Sequence, residues 1–291
     1  MSSSQTSYGV HNEYRSVQSI EYRPKAPLDV FVDKIWYFKS DVFDSHGITF
    51  PILQHELIFS FSDLFSLKKN NDETFNNQTC WLSGLQTQPI QSITNGSHES
   101  LGVFFKPWGL QPFINISMTE LTDQQIDLAL ILGCQGKHLT EQIFDAETAE
   151  EKTRIVEEFL VTRLSDKMPP YDILKSVKYL QNNEFKKGSI KTIAACENIS
   201  TKSLIRRFKS TIGLSPGKFA HLIRLNNILT GISDAPGQPL IRIAYDNFFY
   251  DQAHFNHFFK SYTGLTPRQY QRSVQSKRVD SEFPNYLHAT L

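Results

Sequence analysis

Thr201, Lys202, Ile205 and Arg206 fall on one side of a helical period, and Gln252, Ala253, Asn256 and His257 repeat that arrangement further along the chain. The chemistry open to these side chains is recognition by hydrogen bonding. An arginine fork matches the paired acceptors on the edge of guanine, and a Gln or Asn amide matches the donor and acceptor of adenine. Arg206, Gln252 and Asn256 are therefore the best candidates for reading bases. Arg207, Lys209, Lys218, Lys260 and Arg268 carry the charge to grip phosphates, which positions a protein without specifying sequence. Taken singly, each of these residues fits a solvated helix face equally well.

A second set of candidates is aromatic. Trp36, Phe38, Trp81 and Phe104 lie in strand-like runs, where they either fill a core or line a pocket for a small effector. Metal and catalytic chemistry have less to stand on. No His-x-His occurs, and His55-Glu56 is a lone pair. The chain has no Gly-x-Ser-x-Gly elbow, no phosphate-binding glycine loop and no catalytic Cys/His spacing. The expectation is no enzyme, no metal and no cofactor.

The base-reading candidates are held by elements that the chain states twice. Ile193-Ala194, Leu204, Phe208-Lys209 and Gly213-Leu214-Ser215-Pro216 return as Ile243-Ala244, Phe255, Phe259-Lys260 and Gly264-Leu265-Thr266-Pro267. The dipeptide recurs at an offset of 50 and the rest at 51, so one residue is inserted between, within the turn-like Asn247 to Tyr250. Each copy reads as a short helix, a turn, a second helix capped by Ser200 or Asp251, and a Gly stop before a Pro start. Two such helix-turn-helix units would each lay a second helix in a major groove. Between them, the apolar face of Phe219, Leu222, Ile223, Leu225, Ile228, Leu229 and Ile232 predicts one connecting helix, about 20 Å long.

These landmarks resemble the DNA-binding domain of the AraC/XylS family of bacterial transcription activators over roughly residues 171–275. Beyond those already named, Tyr245, Phe249, Gln252, His254, Phe258, Arg268 and Tyr270 match. The resemblance implies a sequence-specific DNA-binding regulator, an activator, reading adjacent groove segments with two recognition helices. It departs at the second turn, where the family has Gly before Phe and this chain has Phe248 before Phe249. Phe248 is expected at positive φ, which strains a residue with a Cβ, whereas Asn198 in the first copy tolerates it.

Charge divides the chain in the same way. Residues 1–170 carry 13 Lys and Arg against 22 Asp and Glu, and residues 171–275 carry 15 against 6. A basic segment behind an acidic one fits nucleic-acid binding by the second half alone. The acidic half is expected either to avoid DNA or to dock on the basic half. Cys80, Cys134 and Cys196 are scattered and read as buried thiols of a reducing cytoplasm. No apolar run approaches membrane-spanning length, so a cytoplasmic protein without membrane contact is expected.

Short aromatic and β-branched runs from Ile20 to about Ser117 suggest an antiparallel sandwich or small barrel, with Lys68 to Gln78 as a hairpin loop. Ser83-Gly84-Leu85-Gln86-Thr87 with Pro89, Gly102 to Pro107, and Glu120-Leu121-Thr122-Asp123 resemble the cupin-like sensor domain that precedes such DNA-binding domains. The pattern turns helical from Asp123. The stripe Ile155, Val156, Phe159, Leu160 and Leu164 either packs on the sheet or pairs with a second chain. The fold expected is multidomain α+β. Residues 1–18 form a disordered tail, 19–165 a β-rich cupin-like sensor or dimerisation domain ending in helices, and 166–170 a linker. Residues 171–275 form the all-α double helix-turn-helix, and 276–291 a loose tail. Double-stranded DNA is the expected partner, with RNA polymerase, a second copy and a small-molecule effector as further candidates. The alternative is a small-molecule-binding or catalytic cupin whose helical tail is structural.

Overall fold

The structure, a computed structural model, describes residues 17–41, 45–61, 65–69, 72–75, 79–164, 168–182, 189–279 and 284–289. The β-branched and aromatic runs of the first half pair as antiparallel strands: β1 (Val17–Tyr22), β2 (Val32–Ser40), β3 (Ser45–Thr49), β4 (His55–Ser60), β5 (Phe65–Lys69), β6 (Asp72–Phe75), β7 (Cys80–Ser83), β8 (Ile90–Thr94) and β9 (His98–Phe105). Helix α1 (Met118–Leu121), strand β10 (Gln125–Asp127) and helices α2 (Leu128–Leu132), α3 (Cys134–Asp145) and α4 (Ala149–Arg163) follow. One sheet runs β1-β2-β9-β4-β7-β10. The other runs β11-β3-β8-β5-β6, and its edge strand β11 (Tyr286–Ala289) comes from the far end of the chain.

Period-two alternation gives the first sheet two different faces. Ile35, Tyr37, Leu57, Phe59, Leu101 and Val103 point to one side and join buried residues of α2, α3 and α4 in a single core. Trp36, Phe38, Glu56, Ile58, Trp81 and Phe104 point to the other, across a cavity towards the second sheet. The stripe on α4 belongs to the first core: Val156 and Leu160 are fully buried in it, and Ile155, Phe159 and Leu164 pack at its edge.

The C-terminal half is helical: α5 (Tyr171–Asn182), α6 (Ser189–Cys196), α7 (Thr201–Ile212), α8 (Pro216–Asp234), α9 (Leu240–Asp246), α10 (Gln252–Thr263) and α11 (Pro267–Gln275). The connecting helix α8 has 19 residues, about 28 Å of axis, and its buried face contributes to two cores. Leu222 and Ile223 pack with α5 to α7, whereas Leu225, Ile228, Leu229 and Ile232 pack with α9 to α11. Each core also takes in residues of the first half, Leu85 in one and Phe50 in the other.

Several expectations are corrected. Strand β1 opens at Val17, inside the stretch read as a disordered tail, whose residues 1–16 lie outside the described ones. Lys68 and Lys69 belong to β5 and Asp72 to Phe75 to β6, so the hairpin loop is shorter than Lys68 to Gln78. Gln125 to Asp127 continue the sheet beside β7 before the chain turns helical, and Leu130 is 79% exposed. Cys134 and Cys196 are exposed; Cys80 alone is buried. The tail read as loose contributes β11, which pairs with β3 in register from Tyr286↔Thr49 to Ala289↔His46. Of the residues read as a linker, 166 and 167 lie outside the described ones. Among the described residues, no helix is long and apolar enough to cross a membrane.

Candidate nucleic-acid interface

The repeat in sequence becomes a repeat of cap geometry. Ser200 accepts a hydrogen bond from the Ser203 N–H at 3.1 Å, and Asp251 accepts one from the His254 N–H at 2.7 Å, starting α7 and α10 in the same way. Gly213 (φ 95°) and Gly264 (φ 73°) end both helices in the left-handed region. Ser215 and Thr266 then cap α8 and α11, each followed by Pro. The turns before α7 and α10 match as well. Asn198 (φ 51°) and Phe248 (φ 60°) both take positive φ. The next N–H, of Ile199 or Phe249, returns to the carbonyl of Ala194 or Ala244. Equivalence thus holds through Phe249 and resumes at Asp251, which makes Tyr250, 92% exposed, the inserted residue.

On α7, Lys202 and Arg206 are exposed and Thr201 and Ile205 half-buried. On α10, Gln252, Ala253 and His257 are exposed and Asn256 is half-buried. Gln252 and Asn256 line one depression together with Arg268 and Arg272, bringing base-type and phosphate-type side chains side by side. Arg272 was not singled out from sequence, although it stands four residues after Arg268 on the same helix face. Lys209, Lys218 and Lys260 are exposed. Arg207 is exposed as well, and its Nη1 lies 2.8 Å from Asp172 of α5, an ion pair that ties α7 to its neighbour.

The second unit holds a residue that the apolar pattern of α8 concealed. Arg224 is buried, donates from Nε to the Asn247 carbonyl at 2.7 Å, and places its guanidinium 3.5 Å from the Phe249 ring centroid. Burial pulls its pKa down to about 10, still charged near neutrality. An Arg between Ile223 and Leu225, in the middle of a buried run, is the signal that could have found it.

The two halves meet at two joints. At the first, the Thr119 hydroxyl donates to the Lys209 carbonyl at 3.3 Å and the Thr122 hydroxyl to that of Gly213 at 3.1 Å, which docks α1 on the C-terminal end of α7. A Cβ on Gly213 would stand 2.6 Å from the Met118 carbonyl oxygen, so this glycine answers to close approach as well as to positive φ. At the second, Asn285 Nδ2 donates to the Pro51 carbonyl at 2.8 Å and to Asn226 Oδ1 of α8 at 3.1 Å. Tyr270 donates to the Pro284 carbonyl at 2.6 Å. These contacts seat the tail strand against the second unit and the second sheet together.

The four aromatic candidates, Trp36, Phe38, Trp81 and Phe104, all line the cavity between the sheets, which measures about 390 Å³. Gly102 shapes its floor: a Cβ there would fall 2.2 Å from the Trp36 indole, so only glycine lets that ring lie across β9. Glu56 projects into the same space and accepts from Trp36 Nε1 at 3.2 Å, and burial pushes its carboxyl up to about 8. His55 points to the opposite side of β4, fully buried beside the backbone of Pro107 and Ile212, and burial holds its imidazole down at about 4. Because adjacent strand residues diverge, His55 and Glu56 cannot share one metal ion.

The comparisons with known proteins divide the chain at the same place. Residues 193–273 match a family model described as a helix-turn-helix domain, and residues 20–127 match one described as a domain of unknown function, DUF6597. An uncharacterized HTH-type transcriptional regulator of Haemophilus influenzae is 29% identical over 120 residues, 41% of this chain and 39% of that one. The HTH-type transcriptional regulator MtrA of Neisseria gonorrhoeae is 33% identical over 89 residues, 31% of this chain and 29% of that one. The chain thus matches less than two-fifths of the length of either relative. Among solved structures, apo ToxT of Vibrio cholerae is 11% identical, with 82% of this chain and 97% of that chain covered and a TM-score of 0.45.

Proposed function

We propose that the chain is a transcription regulator of the AraC/XylS type that binds promoter DNA through α7 and α10 and activates transcription. The observation that carries this reading is the matched pair of capped helices at the two ends of α8, each presenting exposed polar residues. Arg206, Gln252 and Asn256 read base edges, supported by Thr201, Lys202, Ile205, Ala253 and His257. Arg207, Lys209, Lys218, Lys260 and Arg268 hold phosphates. The β-rich half senses a small effector in the cavity lined by Trp36, Phe38, Trp81 and Phe104. The joints at Thr122–Gly213 and Asn285–Asn226 connect that half to the reading units. A second copy and RNA polymerase are further partners of a regulator built in this way.

The test is fluorescence anisotropy on the full chain with a selected site and with random duplex, across a salt series. Arg206→Ala is expected to weaken the selected site by about 1–3 kcal/mol and to leave random DNA almost unchanged. Lys209→Ala is expected to weaken both alike and lower the salt slope by about one. Equal loss on both duplexes for Arg206→Ala would make it a phosphate contact. Absence of any salt-sensitive binding would favour a ligand-binding cupin with a structural helical half.

A further inference from the structure

The cavity between the sheets has a composition that selects the charge of what enters it. Its walls are aromatic and aliphatic, with Trp36, Phe38, Trp81, Phe104 and Tyr286 among them, and none of the described residues that line it is Lys or Arg. Two carboxylates, Glu21 and Glu56, face it. Glu21 is paired with Lys34 of the neighbouring strand, whereas Glu56 receives a hydrogen bond from the neutral Trp36 indole. His98, the remaining titratable group of the wall on β9, is held neutral by burial.

One further lining atom waits for a donor. Gln86 is 7% exposed; its Nε2 donates to Ser83 Oγ at 3.2 Å and to the Gly84 carbonyl at 3.0 Å, which fixes the amide and leaves Oε1 without a partner. A buried acceptor without a donor is costly, and Gln86 stands beside Ser83, the register partner of Glu56, so its oxygen and the carboxyl share one end of the cavity. The aromatic faces carry negative quadrupoles and favour the same sign of guest. A carboxylate ligand would find no Lys or Arg among the described residues of the wall to pair with.

We propose that this cavity binds an organic cation, an apolar or aromatic body whose N–H-bearing ammonium or amidinium head pairs with Glu56 and the free acceptor of Gln86. The proposal rests on the reading of the cavity as an effector site and names the class of effector. The guest stabilises the ionised form of Glu56, so binding releases a proton at neutral pH and tightens as pH rises. Glu21 on β1, Lys34, Trp36 and Phe38 on β2, Phe50, Trp81 on β7, His98 and Phe104 on β9 and Tyr286 on β11 are the charged, titratable and aromatic groups around Glu56 and the cavity among the described residues. Of these, the Trp36 hydrogen bond and then the charge of Lys34 favour the ionised form of Glu56, without outweighing its burial.

The probes are three molecules with one body and different heads, 1-naphthylmethylamine, 1-naphthylmethanol and 1-naphthylacetate, titrated calorimetrically into the full chain. The amine is expected to bind about tenfold more tightly than either of the others at pH 7. Its affinity should rise towards about tenfold per pH unit between pH 6 and 8, with close to one proton released in buffers of differing ionisation enthalpy. Glu56→Gln should bring amine and alcohol to near parity; the proton count on the unaltered chain stands even if that variant folds poorly. Preferential binding of the acetate, or equal binding of all three without proton release, would keep an effector site and overturn its charge selection. No binding of any probe would overturn both. DNA binding by the same preparation reports separately on the regulator reading.

Discussion

The guanidinium of Arg224 lies 3.5 Å from the centroid of the Phe249 ring and donates to the carbonyl of Asn247, two residues earlier in the second turn. That pair spans the one place where the two units differ in length. Asn247, Phe248 and Tyr250 form an irregular turn with no glycine, and Arg224 from the connecting helix holds both its backbone and its buried aromatic residue.

Arg224→Met is therefore expected to cost about 3 kcal/mol in urea denaturation, because it removes a charge-assisted hydrogen bond to an otherwise buried carbonyl. Arg224→Lys should recover little of this, since an ammonium lacks the flat stacking surface and the fork. A loss below about 0.5 kcal/mol would mean that the turn holds itself.

Phe248 sits at φ 60° with its side chain 43% exposed, so its ring gains little from burial while its Cβ is strained. Phe248→Asn, which reproduces Asn198 of the first unit, is expected to stabilise the chain by about 1 kcal/mol, read as a rise in melting temperature. A fall would show that the exposed ring makes a contact worth more than the strain.

The tail strand meets β3 at a glycine. A Cβ on Gly47 would lie 2.1 Å from the Tyr286 hydroxyl, so Gly47→Ala should push Tyr286 off the sheet. Amide exchange at Leu287 and His288 is expected to speed up by about tenfold or more, with β7 and β9 unchanged. Unchanged exchange in the tail would mean that the tyrosine ring swings aside at no cost to the pairing.

His55 and Glu56 give stability opposite pH slopes. His55 titrates near 4 when folded and near 6.5 when unfolded. Its contribution is complete above about pH 6.5 and is lost as pH falls towards 4, up to about 3 kcal/mol. Glu56 titrates near 8 when folded and near 4.5 when unfolded, so stability falls as pH rises from 4.5 through 8. Urea midpoints against pH should show a flatter acid limb for His55→Leu and a flatter alkaline limb for Glu56→Gln. Parallel curves for all three proteins would refute both assignments.

What the sequence made legible was local. The caps, glycine stops and proline starts of the two units depend on residues within one turn of one another, and Ser200, Asp251, Gly213 and Gly264 could be placed by type alone. The positive φ of Phe248 was legible for the same reason. The apolar period of α8 was also readable, but Arg224 was passed over because its partners lie 23 and 25 residues away and periodicity carries no sign of them. The pairing of β11 with β3 joins residues about 240 apart through backbone hydrogen bonds, which four unremarkable side chains do not announce. Trp36 and Trp81 were recognised as aromatic lining or core, a choice that composition leaves open; both border the cavity between the sheets.

The central claim is that α7 and α10 read DNA together. Selection of bound duplexes from a random pool by the full chain tests it directly, with Arg206→Ala and Asn256→Ala selected in parallel. The expected result is a site of two short segments centred about one helical turn apart, roughly 34 Å, with each substitution erasing the sequence preference of one segment only. A single enriched segment, or a pair that both substitutions blur equally, would contradict it.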